Sequence, residues 1–244
     1  MSTPAKTAII VGGSRGIGAA VARRLARDGV RLVVSYHSDT AAADQLKTEI
    51  EAAGGQIELV RADITQLADI APIFDRAETR FGAVDIVVAV AGVGLLGSFQ
   101  AATEAQFDAL FGVTKGVFFL LQAAAGRIAN GGRIITLSTG LTRTWAANAA
   151  LYAGSKAAIE QFSRSLSKEV GGRGVTVNVV LPGVVETDMT AAMPAAMKQH
   201  AASQTSLGRL AAPDDIADVV GFLASPEARW ITGQLIVANG GSTP

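Results

Sequence analysis

Tyr152 and Lys156 stand four residues apart in the stretch Leu151-Tyr152-Ala153-Gly154-Ser155-Lys156-Ala157-Ala158. On a helix this spacing sets a phenol and an ammonium side by side on one face. A free tyrosine titrates near about 10 and is a poor acid at neutral pH. A positive charge held beside it favours the phenolate and lowers that value. The pair is therefore a candidate general acid/base. Taken alone it also fits an ordinary amphipathic helix face, so the rest of the chain must decide.

A second chemistry-bearing cluster lies near the N-terminus, in Ala8-Ile9-Ile10-Val11-Gly12-Gly13-Ser14-Arg15-Gly16-Ile17-Gly18. An apolar run of strand type enters the glycines. A helical pattern leaves them, with Ala20, Val21, Ala22 and Leu25 apolar and Arg23, Arg24 and Arg27 polar. Glycines let the backbone turn sharply and let a pyrophosphate approach closely, while a helix N-terminus offers free N–H groups and the positive dipole end. The spacing is Gly12-x-x-x-Gly16-x-Gly18, which differs from the G-x-G-x-x-G dinucleotide fingerprint.

These clusters need a frame, and the pattern between them supplies one. Strand-type runs are Thr7–Val11, Arg31–Ser35, Ile57–Arg61, Ile86–Val90, Arg133–Leu137, Thr176–Leu181 and Leu235–Ala238. Most are uninterrupted Val/Ile/Leu segments, as expected for strands buried on both faces of a parallel sheet. Helical patterns alternate with them, among them Ala41–Ala53, Leu67–Phe81, Glu104–Ile128 and Asp214–Leu223. The alternation predicts an α/β fold: one doubly wound, Rossmann-type domain over residues 1–244, with a parallel seven-stranded sheet and helices on both faces. Ligands bind beyond the C-terminal strand ends of such sheets. Those ends carry the glycine turn, Asp63, Ala91-Gly92, Ser138-Thr139 and Pro182-Gly183.

Composition narrows the class. The 244 residues carry 21 basic and 21 acidic side chains with no basic block, which argues against nucleic acid as a partner. There is no cysteine, and His37 and His200 are the only histidines, so no metal site is expected. The start, Met1-Ser2-Thr3-Pro4-Ala5-Lys6, is too short and polar for a signal peptide, and no apolar run is expected to reach the roughly 18 residues of a membrane span. A cytoplasmic location is the expectation.

With these residues in place, nearly the whole chain resembles the short-chain dehydrogenase/reductase family, in its bacterial 3-oxoacyl-reductase-like branch. Gly12, Gly16 and Gly18 match the cofactor turn, Asp63 in Ala62-Asp63-Ile64-Thr65 the acid at the adenine, and Tyr152 and Lys156 the catalytic pair. Asn178 with Pro182-Gly183 and Thr187 matches the segment at the nicotinamide end. The tail through Leu207-Gly208-Arg209, Pro213-Asp214-Asp215-Ile216-Ala217, Ile231-Thr232-Gly233-Gln234 and Gly240-Gly241 resembles that branch. The resemblance implies a cofactor site built from Gly12, Ser14, Arg15, Gly16, Ile17, Gly18, Tyr36, His37, Ser38, Asp63, Ile64, Ala91, Gly92, Tyr152, Lys156, Pro182, Gly183, Val185 and Thr187.

The resemblance also implies a reaction, hydride transfer between a nicotinamide and a carbonyl or secondary alcohol. Tyr152 gives or takes the proton and Lys156 lowers its pKa and binds the ribose. A hydroxyl thirteen residues before the tyrosine polarises the carbonyl; that position is Thr139, whereas the family's residue type, serine, is found beside it at Ser138. Three positions depart from the family. Val11 replaces the usual threonine, Ala89-Val90-Ala91-Gly92 replaces an asparagine-rich step, and Val113 stands where an asparagine completes the catalytic set. Proton supply to Lys156 then needs another route, such as Thr114 or a water chain. A second reading follows from these departures, a dinucleotide-binding protein of weak or no turnover, acting as a redox sensor or assembly subunit.

Tyr36 occupies the place, twenty residues after Gly16, where NAD-specific relatives carry an acid. With Arg15 available as a fork donor to a 2′-phosphate, and with His37 and Ser38 beside it, NADP(H) is the expected cofactor and NAD(H) an accepted one. Asp39 is expected to cap the helix beginning near Thr40. Substrate walls are expected from Val93–Phe99, Gly140–Asn148 and Glu186–Ser206. Leu141, Trp145 and the adaptable Met189, Met193 and Met197 make them apolar. The expected substrate is an apolar or aromatic ketone, or a 3-oxoacyl-like compound. The family and the apolar tail Phe222–Pro244 imply a homotetramer.

Overall fold

The computed structural model describes residues 5–242. Met1–Pro4, Thr243 and Pro244, part of the start and tail considered above, lie outside them. Seven strands form one parallel sheet: β1 Thr7–Val11, β2 Arg31–Tyr36, β3 Ile57–Arg61, β4 Val84–Ala89, β5 Ile128–Leu137, β6 Thr176–Pro182 and β7 Leu235–Ala238. The order is β3-β2-β1-β4-β5-β6-β7, every neighbouring pair parallel. Chain order reverses between β1 and β4, so the crevice for a ligand opens beyond Val11 and Ala89.

The helices are α1 Gly16–Arg27, α2 Thr40–Ala52, α3 Ile70–Phe81, α4 Glu104–Arg127, α5 Ala150–Val170, α6 Asp188–Ala191, α7 Ala195–Ser203 and α8 Pro213–Ala224. They cover both faces, because each central strand is apolar on both sides. Within β1, Ala8 and Ile10 enter the layer holding Leu25 of α1, Leu46 of α2 and Val220 of α8. Ile9 and Val11 enter the opposite layer with Phe74 of α3, Leu120 of α4 and Ile159 of α5. This alternation is the period of two along a strand.

Two strand boundaries differ from the sequence expectation for local reasons, and one helix start agrees with it. Strand β4 ends at Ala89, because Val90 N–H and Ala91 N–H both turn to the Val11 carbonyl, each at 2.9 Å. Strand β5 begins at Ile128, where it pairs with Val84 before a register shift brings Ile86 opposite Arg133. Asp39 does cap α2, accepting from Ala42 N–H at 3.0 Å.

Helix α4 corrects one expectation. With 24 residues and a mean hydropathy of 1.4, it is long and apolar enough to cross a membrane by length and composition. Here it packs between α3 and α5 against the sheet, burying Leu110, Val117, Leu120, Leu121 and Ala124.

Candidate active site

The glycine turn is shaped by close approach. Gly12 has φ +78°, and a β-carbon there would come within 2.8 Å of Ala91 Cα. A β-carbon on Gly18 would collide with the Gly12 carbonyl, and one on Gly16 (φ +49°) would stand 3.1 Å from Thr187 Cγ2. Gly12 N–H and Gly13 N–H are both taken by the Ser35 carbonyl at the end of β2. At the start of α1 the Arg15 side chain makes no capping bond, and the first turn holds no acidic residue. The first N–H groups of the helix therefore point out of the turn, a fitting seat for an anionic pyrophosphate. Ser14 and Ile17 flank this seat, half-buried.

At the end of β2, Tyr36 is half-buried while His37 and Ser38 are exposed. His37 Nε2 lies 3.6 Å from Asp63 Oδ2. Burial pushes the Asp63 carboxyl up, but the Thr65 N–H and hydroxyl at 2.9 and 2.8 Å, with His37 nearby, hold it below its usual range. Arg15 faces two carboxylates, Asp39 at 3.8 Å and Asp188 at 3.6 Å. Ile64 is buried, its carbonyl pressed against Gly116 of α4 so closely that no β-carbon fits there.

Helix α5 carries the acid/base pair. Lys156 is buried, and its Nζ donates to the Leu137 carbonyl at 3.1 Å. A β-carbon on Gly92 would lie 3.1 Å from that nitrogen, so the glycine keeps the ammonium in reach of the crevice. Burial lowers the Lys156 pKa to about 8. Burial also pushes the Tyr152 phenol up, and a hydrogen bond with Thr139 partly opposes this. The spacing predicts the reverse shift, driven by Lys156. Burial of the phenol outweighs it, while the ammonium is held by the Leu137 carbonyl.

The two candidate hydroxyls part company here. Thr139 meets Tyr152. Ser138, one residue earlier and therefore on the other side of the strand end, donates to Glu160 Oε1 at 2.6 Å. Thr142 reaches the same oxygen, also at 2.6 Å. Glu160 was missed in the sequence, although its place four residues beyond Lys156 sets it on the same face of α5.

Beyond β6, Pro182 is buried and Gly183 packs on Asn239, where a β-carbon would come within 3.0 Å of the Asn239 side chain. Val185 is buried in a bridge to Ala211. Thr187 precedes α6, its N–H accepted by the Thr190 hydroxyl at 3.0 Å. Asn178 does not reach this end. Its side chain donates to the Ile231 carbonyl at 2.7 Å and accepts from Gln234 N–H at 3.1 Å, fastening β6 to the loop before β7. Thr114 is likewise turned elsewhere, its hydroxyl sitting between the Leu110 and Ser155 carbonyls at 3.1 and 3.4 Å. Of the expected substrate walls, Leu141 is half-buried but Trp145 stands wholly in solvent.

The family described as enoyl-(acyl carrier protein) reductase matches residues 11–243. An oxidoreductase of Methylorubrum extorquens is 40% identical over 240 residues, covering 97% of each chain. A hydroxynaphthalene reductase-like protein of Metarhizium brunneum is 38% identical over 256 residues, covering 99% of this chain and 96% of that one. Among solved structures, a short-chain dehydrogenase of Burkholderia cenocepacia in complex with NADP superposes with a TM-score of 0.93 at 36% identity, covering 98% of both chains.

Proposed function

The chain belongs to the short-chain dehydrogenase/reductase family and is an NAD(P)-dependent oxidoreductase of that family; from this premise we propose that it reduces bulky apolar ketones with NADPH. One observation carries the reading: the Tyr152 phenol meets the Thr139 hydroxyl, so a proton carrier and a second hydrogen-bond donor stand together on helix α5 and at the end of β5. The phenol holds its proton at neutral pH, as a group that gives it to a developing alkoxide must.

The glycine turn and the start of α1 would hold the pyrophosphate, Lys156 beside Gly92 the ribose, and Arg15 with Ser38 a 2′-phosphate. When bound, the nicotinamide would supply the hydride. Thr139 and Tyr152 together cradle the substrate oxygen, Thr139 donating a hydrogen bond and Tyr152 its proton as negative charge develops there. Lys156 then favours the phenolate so formed. Because the Leu137 carbonyl anchors the Lys156 ammonium, its position does not depend on the asparagine that Val113 replaces. That supports turnover over the reading as a silent binding protein.

The substrate reading rests on exposed apolar side chains of the expected walls: Leu96 and Phe99 in the segment after β4, and Met189 and Met197 on α6 and α7, are all more than half exposed. The similarity to a hydroxynaphthalene reductase-like protein favours a fused-ring aromatic ketone over a 3-oxoacyl chain. The test is loss of NADPH absorbance with a panel of fused-ring ketones, activated ketones and diketones, run beside Tyr152→Phe. Turnover with none of them, or full turnover in the variant, overturns the proposal.

We also place the enzyme in the cytoplasm as a homotetramer. Two separate apolar faces support the assembly. One is a groove between α4 and α5 lined by Phe111, Phe118 and Phe162. The other carries Phe222, Trp230 and Val237, with Trp230 95% exposed. Each face, paired with itself across a two-fold axis, gives a dimer; using both gives a closed tetramer. Light scattering should give about four times the 24.9 kDa chain mass; a monomer overturns it.

A further inference from the structure

We propose that Glu160 is a positioning residue for the carbonyl reduction: its buried carboxylate grips the hydroxyls of Ser138 and Thr142, on either side of Thr139, and so fixes where the Thr139 hydroxyl stands. This rests on the roles given above to Thr139 and Tyr152.

Thr139 lies between the end of β5 and the short turn Gly140–Arg143. Turns of this kind are held by few bonds of their own. Here Leu141 N–H donates to Thr139 Oγ1 and Thr142 N–H to the Thr139 carbonyl, both at 3.3 Å, and the Thr142 hydroxyl stands 3.0 Å from that same carbonyl. The shortest bonds are those to Glu160. Ser138 Oγ and Thr142 Oγ1 each reach Oε1 at 2.6 Å, the length of hydroxyls bound to a charged acceptor. A carboxylate is unfavourable in a protein interior unless its oxygens are hydrogen-bonded, and Glu160 is only 8% exposed. Both hydroxyls land on Oε1, and that oxygen clamps them.

Geometry makes the clamp relevant to chemistry. Glu160 rides on α5, the helix that also carries Tyr152 and Lys156. One rigid element thus sets both ends of the Thr139–Tyr152 hydrogen bond: the phenol directly, and the hydroxyl through Glu160 and the turn. Reactions of this type lose rate steeply when reacting groups shift by about 1 Å.

Three variants test this: Glu160→Ala, Glu160→Gln and Thr142→Val. Glu160→Ala should lower kcat about tenfold or more, with the NADPH Kd within about twofold, because the clamp acts on orientation and not on cofactor docking. Glu160→Gln keeps an accepting oxygen and should retain at least about half of kcat. Thr142→Val should fall between them. In a Thr139→Ala background, Glu160→Ala should cost nothing further, since residues acting as one unit are non-additive. An undiminished kcat in Glu160→Ala, or an equal loss in both backgrounds, overturns the proposal.

A substrate-free readout separates this from failure of the enzymatic reading. The chain has two tyrosines, Tyr36 and Tyr152. In a Tyr36→Phe background, ultraviolet phenolate absorbance follows Tyr152 alone. Loosening Thr139 by Glu160→Ala should move that titration upward, and Glu160→Gln should restore it. An unmoved titration overturns the proposal even where no ketone is turned over. Should Glu160→Ala fail to fold, Thr142→Val carries both readouts.

Discussion

Met189 lies across Gly94: a β-carbon built on the glycine would come within 2.7 Å of the methionine sulfur. Gly94 belongs to the loop after β4, and Met189 to the short helix α6. The same loop is tied to the segment before α5, where Gly97 N–H donates to the Asn148 carbonyl at 2.7 Å. Asn148 accepts it from a left-handed conformation, φ 64°, which asparagine tolerates better than most residues. The loop after β4 therefore touches both other expected walls of the substrate crevice, and Gly94 is where it meets α6.

The first prediction follows. A methionine side chain swings aside easily, so Gly94→Ala should leave Tm almost unchanged while lifting Met189 off the loop. KM for a bulky ketone should change by about fivefold, equivalent to about 1 kcal/mol, with NADPH affinity untouched. Substrate-saturation curves for a small and a fused-ring ketone, measured side by side, check it; identical KM values in wild type and variant would remove α6 from the substrate site.

The second concerns pH. Lys156 titrates at about 8 in the native protein against 10.5 ordinarily. Between those values the unfolded chain binds more protons than the native one, so this group's contribution to stability rises with pH across that window. Below it, the native state carries a buried ammonium at a cost. Lys156→Met should therefore be more stable than wild type near neutrality, with the advantage shrinking as pH climbs past about 8. Melting temperatures of both proteins along a pH series decide it. An advantage constant with pH would mean that Lys156 does not titrate there.

The architecture was legible in the sequence because uninterrupted Val/Ile/Leu strands between helical patterns admit few arrangements. The glycine turn was legible too, as steric needs at Gly12 and Gly18 leave no other residue type. What stayed hidden was the direction of polar side chains. Nothing in the spacing tells that Lys156 turns to the Leu137 carbonyl, that Ser138 faces Glu160 while Thr139 faces Tyr152, or that Asn178 fastens the loop before β7. The choice between Ser138 and Thr139 is made by strand-end geometry, where one residue's step reverses the face; the others are made by which backbone group each side chain meets across the fold. Trp145 shows the same limit from the other side, as an aromatic residue in a wall segment that nonetheless stands in solvent.

The third prediction concerns cofactor choice. Arg15 sits within 4 Å of both Asp39 and Asp188, exposed ion pairs that water screens strongly. A 2′-phosphate offers a doubly charged, forked partner and should draw the guanidinium away from them. Arg15→Ala should raise the Kd for NADPH about tenfold or more and leave that for NADH within about twofold. Fluorescence titration with each cofactor checks the contrast, and equal losses would show that Arg15 is not the selector. Asp39→Asn should act in the opposite sense and tighten NADPH, since the carboxylate next to the same site is gone while a capping oxygen for α2 remains.

The fourth concerns the missing asparagine. Val113 packs half-buried against the layer that holds Val117 and Ile159. Replacing it with asparagine would place an amide among apolar side chains, at a cost of about 1–3 kcal/mol where the amide finds no partner. Val113→Asn should lower stability without raising kcat, because Lys156 already has an anchor at Leu137. Thr114, the other route considered for proton supply, is committed to the helix packing: its hydroxyl lies between the Leu110 and Ser155 carbonyls and is buried. Thr114→Val should therefore cost about 1 kcal/mol of stability and leave kcat within about twofold. A tenfold fall in kcat at unchanged NADPH affinity would reverse this assignment and return Thr114 to the proton path, leaving its contact with the Ser155 carbonyl, next to Lys156, as the link to be probed.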